Sequence, residues 1–277
     1  MQNDIQSRPM VLKVGGSFFE DESAQKDFFS ALCMLLAQEK QIVVVHGGGT
    51  QVQTQLNKLG FESIKHNGLR VTPKEHMPIV CGVLSGILNK QLVTSAQKED
   101  IQAIGFSLAD GDFCTCSQIS EDLGSVGKPH PQNSFLLQTL LNAHYMPVIS
   151  SIGSDLNGEL YNVNADQAAT CVAQVLDADL FLLSDVPGVL DENKQLVESL
   201  CHQQSEQMKK DGVITDGMIV KVDAAQLAAD ELERPVIVAS WASMSKIAIS
   251  KQQEIGTKIL PQFNHLPTAS SGIEHTL

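Results

Sequence analysis

Residues 11–17 read VLKVGGS, placing Lys13 inside a short apolar run and two residues ahead of Gly15 and Gly16. A strand end followed by paired glycines lets a ligand approach the backbone closely, and a lysine there suits an anion. A second such end follows in IVVVHGGGT, residues 42–50, where Gly47, Gly48 and Gly49 succeed a run of β-formers. A tight strand-to-helix turn needs one glycine or two. The third uncovers backbone amides at a helix start, an arrangement that binds anions. Neither segment matches G-x-x-x-x-G-K-[ST], and no G-x-G-x-x-G follows a strand, so this is neither a P-loop nor a standard dinucleotide fold. His46, beside the glycines, reads as a structural histidine with no catalytic role.

Four further segments carry polar groups at element ends. In HNGLRVT, residues 66–72, Arg70 has a guanidinium that matches a carboxylate bidentately. Taken alone, it reads as a surface ion pair. In NVNADQAAT, residues 162–170, Asn164 and Gln167 have capping-box spacing, which accounts for Asn164 and leaves Asn162 and Asp166 unexplained. Asp166 can hold a lysine ammonium, because a half-buried cation needs a paired anion. LLSDVPGVLD, residues 182–191, runs a strand into an Asp-x-Pro-Gly turn where α/β sheets bind ligands. GVITDGMIVKVDAA, residues 212–225, sets Lys221 among apolar neighbours on a helix.

The elements that must position these residues alternate regularly. Strand-like runs at 10–14, 42–45, 102–106, 147–152, 180–184 and 236–239 are separated by amphipathic stretches at 22–38, 51–58, 134–142, 165–176, 205–211 and 218–231. This is the βαβ rhythm of a parallel sheet covered on both faces. A long helix is expected from Thr72 toward Lys98, with Thr72 as N-cap, Pro73 at the first helical position and Glu75 three residues after the cap. Pro78 should kink it. Residues 107–130 lack helical period and predict hairpins or a long excursion.

The chain has 277 residues and a net charge of −13, which opposes attraction to polyanions and argues against a nucleic-acid partner. No apolar run is long enough to span a bilayer, so no membrane role is expected. The first ten residues lack the apolar core of a secretory signal, which predicts a cytoplasmic protein. Six scattered cysteines read as reduced structural thiols, and Cys114 with Cys116 lacks a second pair at zinc spacing.

Taken together, KVGGS, VVVHGGGTQV, NGLRVT, NVNADQAA, LLSDVPGVL, ITDGMIVKV and GTKI (256–259) resemble the amino acid kinase family in order and spacing, over about residues 10–260. KVGGS and the triple glycine are shared across its carbamate, aspartate and uridylate kinases. NGLRVT with NVNADQAA resembles the branch that phosphorylates N-acetyl-L-glutamate in arginine biosynthesis. The resemblance implies an α/β/α fold: an open, mainly parallel eight-stranded sheet sandwiched by helices. It implies an N-terminal lobe (10–177) for the amino acid and dimerisation, and a C-terminal lobe (178–260) for ATP; residues 261–277 lie beyond the shared pattern and, being polar and aperiodic, read as a loose tail.

By the same resemblance Lys13 and Lys221 stabilise the transferring phosphoryl group and Asp166 organises both lysines. Gly48, Gly49, Arg70 and Asn162 would bind N-acetyl-L-glutamate. Gly15 and Gly16 would face the phosphates, and Asp185, Val186, Pro187, Gly188, Val189 and Leu190 with Val213, Ile214 and Thr215 would hold the nucleotide. Mg²⁺ would arrive with ATP, with no protein metal ligand assigned. Arginine-inhibited members carry a long N-terminal helix that links dimers into hexamers; about nine residues precede Met10 here, which implies an arginine-insensitive homodimer. Two rivals remain: a same-fold kinase for an aminoadipate derivative, and a noncatalytic regulator, whose mark would be the loss of Lys13, Lys221 or Asp166.

Overall fold

The computed structural model describes residues 8–66, 68–249 and 255–262. The chain opens with β1 (Met10–Val14), whose side chains alternate between two buried layers, Val11 on one side and Met10, Leu12 and Val14 on the other. After α1 (Glu22–Leu36), capped by the Asp21 carboxylate on Ala24 N at 2.8 Å, comes β2 (Ile42–His46), buried throughout. The glycines then lead into α2 (Gly49–Lys58) and a small hairpin of β3 (Lys65–His66) and β4 (Leu69–Arg70).

The following helical stretch, Lys74–Lys98, changes geometry along its length. A 3₁₀ turn (Lys74–His76) passes into α3 (Met77–Cys81), a π-helical segment (Gly82–Leu88) and α4 (Asn89–Lys98). Two expectations are corrected here. Thr72 does not cap this helix: its hydroxyl donates to Arg70 O at 2.8 Å, and Pro73 occupies the cap position. Pro78 lies in the first turn of α3, where its missing N–H removes little, so the departure from α geometry falls on Gly82–Leu88 instead. The stretch is long and apolar enough by composition to cross a membrane, against the sequence expectation. Its Met77, Val80, Leu84, Leu88 and Leu92 are buried in protein, as in a core helix.

Next come β5 (Ala103–Ser107), the antiparallel pair β6 (Cys114–Gln118) and β7 (Val126–Pro131), then α5 (Phe135–Asn142) and β8 (Met146–Ser150). The single strand expected over 147–152 breaks at Ser151, and Ile152 starts β9 (Ile152–Ser154) of another sheet. β10 (Leu160–Val163), α6 (Ala165–Leu176) and β11 (Asp179–Ser184) follow. The chain continues through β12 (Ser199–Leu200), α7 (His202–Lys210), α8 (Asp216–Leu232), β13 (Val236–Ser240), α9 (Met244–Ile249) and β14 (Thr257–Ile259).

The main sheet has eight strands in the order β12-β14-β13-β11-β1-β2-β8-β5, parallel except where β13 meets β14. On one face, Val11, Val43, Val45 and Leu182 pack with residues of α6 and α8; on the other, Leu12, Val44 and Leu183 pack with α1 and α4. Burial on both faces explains why these strands read as continuous apolar runs. A separate sheet, β6-β7-β10-β9, accounts for the aperiodic excursion after Ser107. All six cysteines are free thiols, with Cys171 Sγ 3.7 Å from Cys114 Sγ inside the core. Of the expected tail, Pro261 is buried and Gln262 N donates to Asp230 at 2.6 Å; residues 263–277 lie outside the described residues.

Candidate active site

The C-terminal ends of β1, β2, β8 and β11 open onto one edge of the sheet, where α/β folds place ligands. Lys13, next to last in β1, reaches Asp166 in the first turn of α6, with Nζ 2.8 Å from Oδ1. Both side chains are largely shielded, 16% and 26% exposed, so the pair is held at the floor of a cleft. Asn164 caps α6, accepting from Asp166 N at 2.8 Å and Gln167 N at 3.2 Å, and thereby fixes where the aspartate points. Only this half of the expected capping box forms, because Gln167 Oε1 finds no partner among the described residues.

Lys221, on α8, shares this cleft with Lys13, Asp166 and Ser184. Its ammonium pairs with Asp185 at 3.2 Å, while Asp166 pairs with Lys13. Burial pushes the Asp185 carboxyl up, and the Lys221 ammonium outweighs this, leaving it below the usual carboxylate range. The hydroxyl of Ser184 is buried without a partner among the described residues at the same edge.

The two glycine-rich strand ends meet. Gln51 of α2 donates to Gly16 O at 2.9 Å, and a Cβ on Gly16 would lie 3.1–3.3 Å from Gln51 and Thr50 atoms. Gly48 is packed harder still: a Cβ there would fall 2.1 Å from Leu88 Cδ1. The N–H groups of Gly48 and Gly49 find no acceptor among the described residues, leaving them free for an anion at the start of α2.

Beside them lies a pocket of about 160 Å³ bordered by Gly48, Gly49, Arg70 and Asn162, together with Lys65 and Ser151. Arg70 is 8% exposed, and burial lowers its pKa from the ordinary value. Its guanidinium donates to Gln53 Oε1 at 2.6 Å, to Gly49 O at 2.7 Å and to Ser63 Oγ, so it is no surface ion pair. Asn162 donates to Thr72 Oγ1 at 3.1 Å, tying β10 to the loop after Arg70. Lys65 and Ser151 were missed in sequence. Lys65 stands just before the HNGLRVT motif, and Ser151 is marked only by the break between β8 and β9.

The expected nucleotide segment is pinned from β14. Val189 N donates to Thr257 Oγ1 at 2.9 Å, and a Cβ on Gly188, at φ 145°, would lie 2.7 Å from that oxygen. Leu190 bridges to Leu196, closing the turn that follows Asp185, Val186 and Pro187. Val213 N and Ile214 N both donate to Met208 O, and Thr215 precedes α8 without a side-chain cap. The Val189 and Ile214 side chains are buried in the core, so a ligand can meet only their backbone.

The amino acid kinase family model matches residues 8–240 of the chain. Proteins named acetylglutamate kinase are similar over nearly the whole chain. That of Pectobacterium atrosepticum is 48% identical, covering 91% of this chain and 99% of its own length; that of Vibrio campbellii is 45% identical, covering 92% and 97%. Among solved structures, smu.665 from Streptococcus mutans superposes with a TM-score of 0.75 at 28% identity, over 91% of this chain and 98% of that one. N-acetylglutamate synthase from Neisseria gonorrhoeae, at 18% identity, shares the fold with a TM-score of 0.78, over 92% of this chain and 60% of that one. The chain belongs to the amino acid kinase family.

Proposed function

We propose that the protein transfers the γ-phosphoryl group of ATP to the side-chain carboxylate of N-acetyl-L-glutamate, giving N-acetyl-L-glutamyl 5-phosphate for arginine biosynthesis. The observation that carries this reading is the cleft in which Lys13, Asp166 and Lys221 meet, beside the free Gly48 and Gly49 amides and the Arg70 pocket. The nucleophile is ionised near neutral pH, so no general base is needed. The difficulty is to align two anions and to stabilise charge on the oxygens around the phosphorus.

In this reading Lys13 neutralises the phosphoryl group in flight and Asp166 holds that ammonium in place. Lys221 favours departure of ADP, and Gly15, Gly16, Gly48 and Gly49 offer backbone donors. Arg70 takes the α-carboxylate, and Asn162 takes the amide end of the substrate. The lobe formed by 178–260 takes the nucleotide through Asp185–Leu190 and Val213–Thr215, and 10–177 takes the acid. Mg²⁺, held by phosphate oxygens and water with the hard carboxylates of Asp166 and Asp185 nearby, would neutralise phosphate charge. The reading includes a homodimer, supported by β5 as an edge strand of the sheet with Ile104 38% exposed, and a cytoplasmic setting.

Incubation with MgATP and hydroxylamine tests it. Acyl hydroxamate and ADP are expected with N-acetyl-L-glutamate and not with glutamate, aspartate, N-acetylaspartate or N-acetylaminoadipate. Hydroxamate from the aminoadipate derivative alone would move the assignment to that substrate. None from any acid would overturn the kinase reading.

A further inference from the structure

His46 ends β2 with its ring fully buried, directly before the glycines. Its Nδ1 lies 3.0 Å from Gly47 O, and its Nε2 lies 3.2 Å from Asn89 Nδ2. Asn89 is equally buried and is anchored on two strands, through Val148 O at 2.9 Å and Phe106 O at 3.2 Å, while Lys90 Nζ donates to its Oδ1 at 3.1 Å. A carbonyl only accepts, so the contact with Gly47 O places the ring proton on Nδ1 and leaves Nε2 an acceptor toward the Asn89 NH₂, whose two hydrogens it shares with Val148 O and Phe106 O.

A trans peptide is planar, with C=O and N–H pointing to opposite sides. Turning Gly47 O onto the His46 ring therefore turns Gly48 N–H away from it. Two contacts hold the peptides on either side of the Gly47–Gly48 peptide. Gly47 N donates to Val14 O at 3.1 Å, and Gly48 O accepts from Val52 N at 2.9 Å. Leu88, the last residue of the π-helical segment and the neighbour of Asn89, fills the space beside Gly48 Cα. The free Gly48 N–H, which borders the acid pocket, is thus aimed by groups that never touch a substrate.

We propose that His46, locked by Asn89, is a positioning residue for phosphoryl transfer, fixing the Gly47–Gly48 peptide so that the Gly48 amide meets the reacting oxygens. The inference rests on the kinase reading above. It assigns a function to a histidine that transfers no proton in the reaction.

The experiment compares steady-state kinetics and thermal melting of the whole enzyme with those of His46→Leu, His46→Gln and His46→Asn. Gln keeps most of the volume and reaches toward Asn89, but loses the donor to Gly47 O. Asn places an amide nitrogen where Nδ1 stood. Misaimed donors predict a kcat about 10- to 100-fold lower in His46→Leu and His46→Gln, with both KM values within about threefold, and recovery of most of that loss in His46→Asn. Lower melting temperatures with kcat unchanged in the folded variants would make the ring a packing element only and overturn the proposal. So would a His46→Asn variant as slow as His46→Leu, or an effect confined to KM. An unmodified enzyme that forms no hydroxamate would overturn the kinase reading and this inference together, whereas an active enzyme with unaltered variants overturns the inference alone.

Discussion

Arg70 is held in place by contacts within its own protein. Its contacts to Gln53, Ser63 and Gly49 O orient the guanidinium plane against the start of α2. A lysine carries the charge but not the planar fork. Arg70→Lys should therefore raise the KM for N-acetyl-L-glutamate by about 10- to 100-fold and leave that for ATP unchanged, read from initial rates with each substrate varied. In sequence this arginine looked like a surface charge, because its partners come from α2 and the segment before β3. Asp166 was more legible: a lysine in an apolar strand needs an anion, and an aspartate left over from helix capping can supply one. The partner of Lys221 was not legible. Asp185 belongs to a different strand end, and nothing local couples it to α8.

At the scale of elements, the Gly82–Leu88 segment is the least expected feature and one of the most consequential. Its Leu84 and Leu88 side chains stand where a Cβ on Gly48 would go, 3.0 and 2.1 Å away. Gly48→Ala should destabilise the fold by about 1–3 kcal/mol through overpacking, and Leu88→Ala in the same chain should return part of that loss. Urea unfolding of the two single variants and the double variant checks this through the sign of the coupling. The helix expected from Thr72 toward Lys98 is present over Lys74–Lys98, but the sequence did not locate its π-helical stretch, which ends just before Asn89 bonds to β5 and β8. The end of β2 carries a second prediction. Burial, assisted by the charge of Lys90, pushes the His46 ring from its ordinary 6.5 down to about 4, against a smaller opposing effect of its bond to Gly47 O. Above pH 6.5 both folded and unfolded chains keep the ring neutral. As pH falls from 6.5 to 4, the unfolded chain takes up a proton that the folded one refuses, so stability is lost in that window. The loss should approach about 3 kcal/mol, be absent in His46→Asn, and be measurable as the difference between their urea midpoints against pH.

Across the whole molecule, β1 is the central strand of the site: it bonds to β2 on the side of the proposed acid pocket and to β11 on the side of the proposed nucleotide segment, with Lys13 between them. The parallel sheet was readable because its strands are buried on both faces and so appear as unbroken apolar runs between amphipathic helices. Of the β6-β7-β10-β9 sheet only the β6–β7 hairpin falls where hairpins were expected; the β7–β10 pairing was not readable, since it joins segments separated by α5 and β8. That sheet nonetheless brings Asn162 to the pocket. In the proposed reaction this assembly stabilises a phosphoryl group in flight rather than merely binding two ligands. Steady-state kinetics of Lys13→Ala with MgATP and N-acetyl-L-glutamate tests it most directly. A kcat lowered by about 10²- to 10³-fold, with both KM values little changed, is the predicted result. An unchanged kcat, with or without a raised KM, would contradict it.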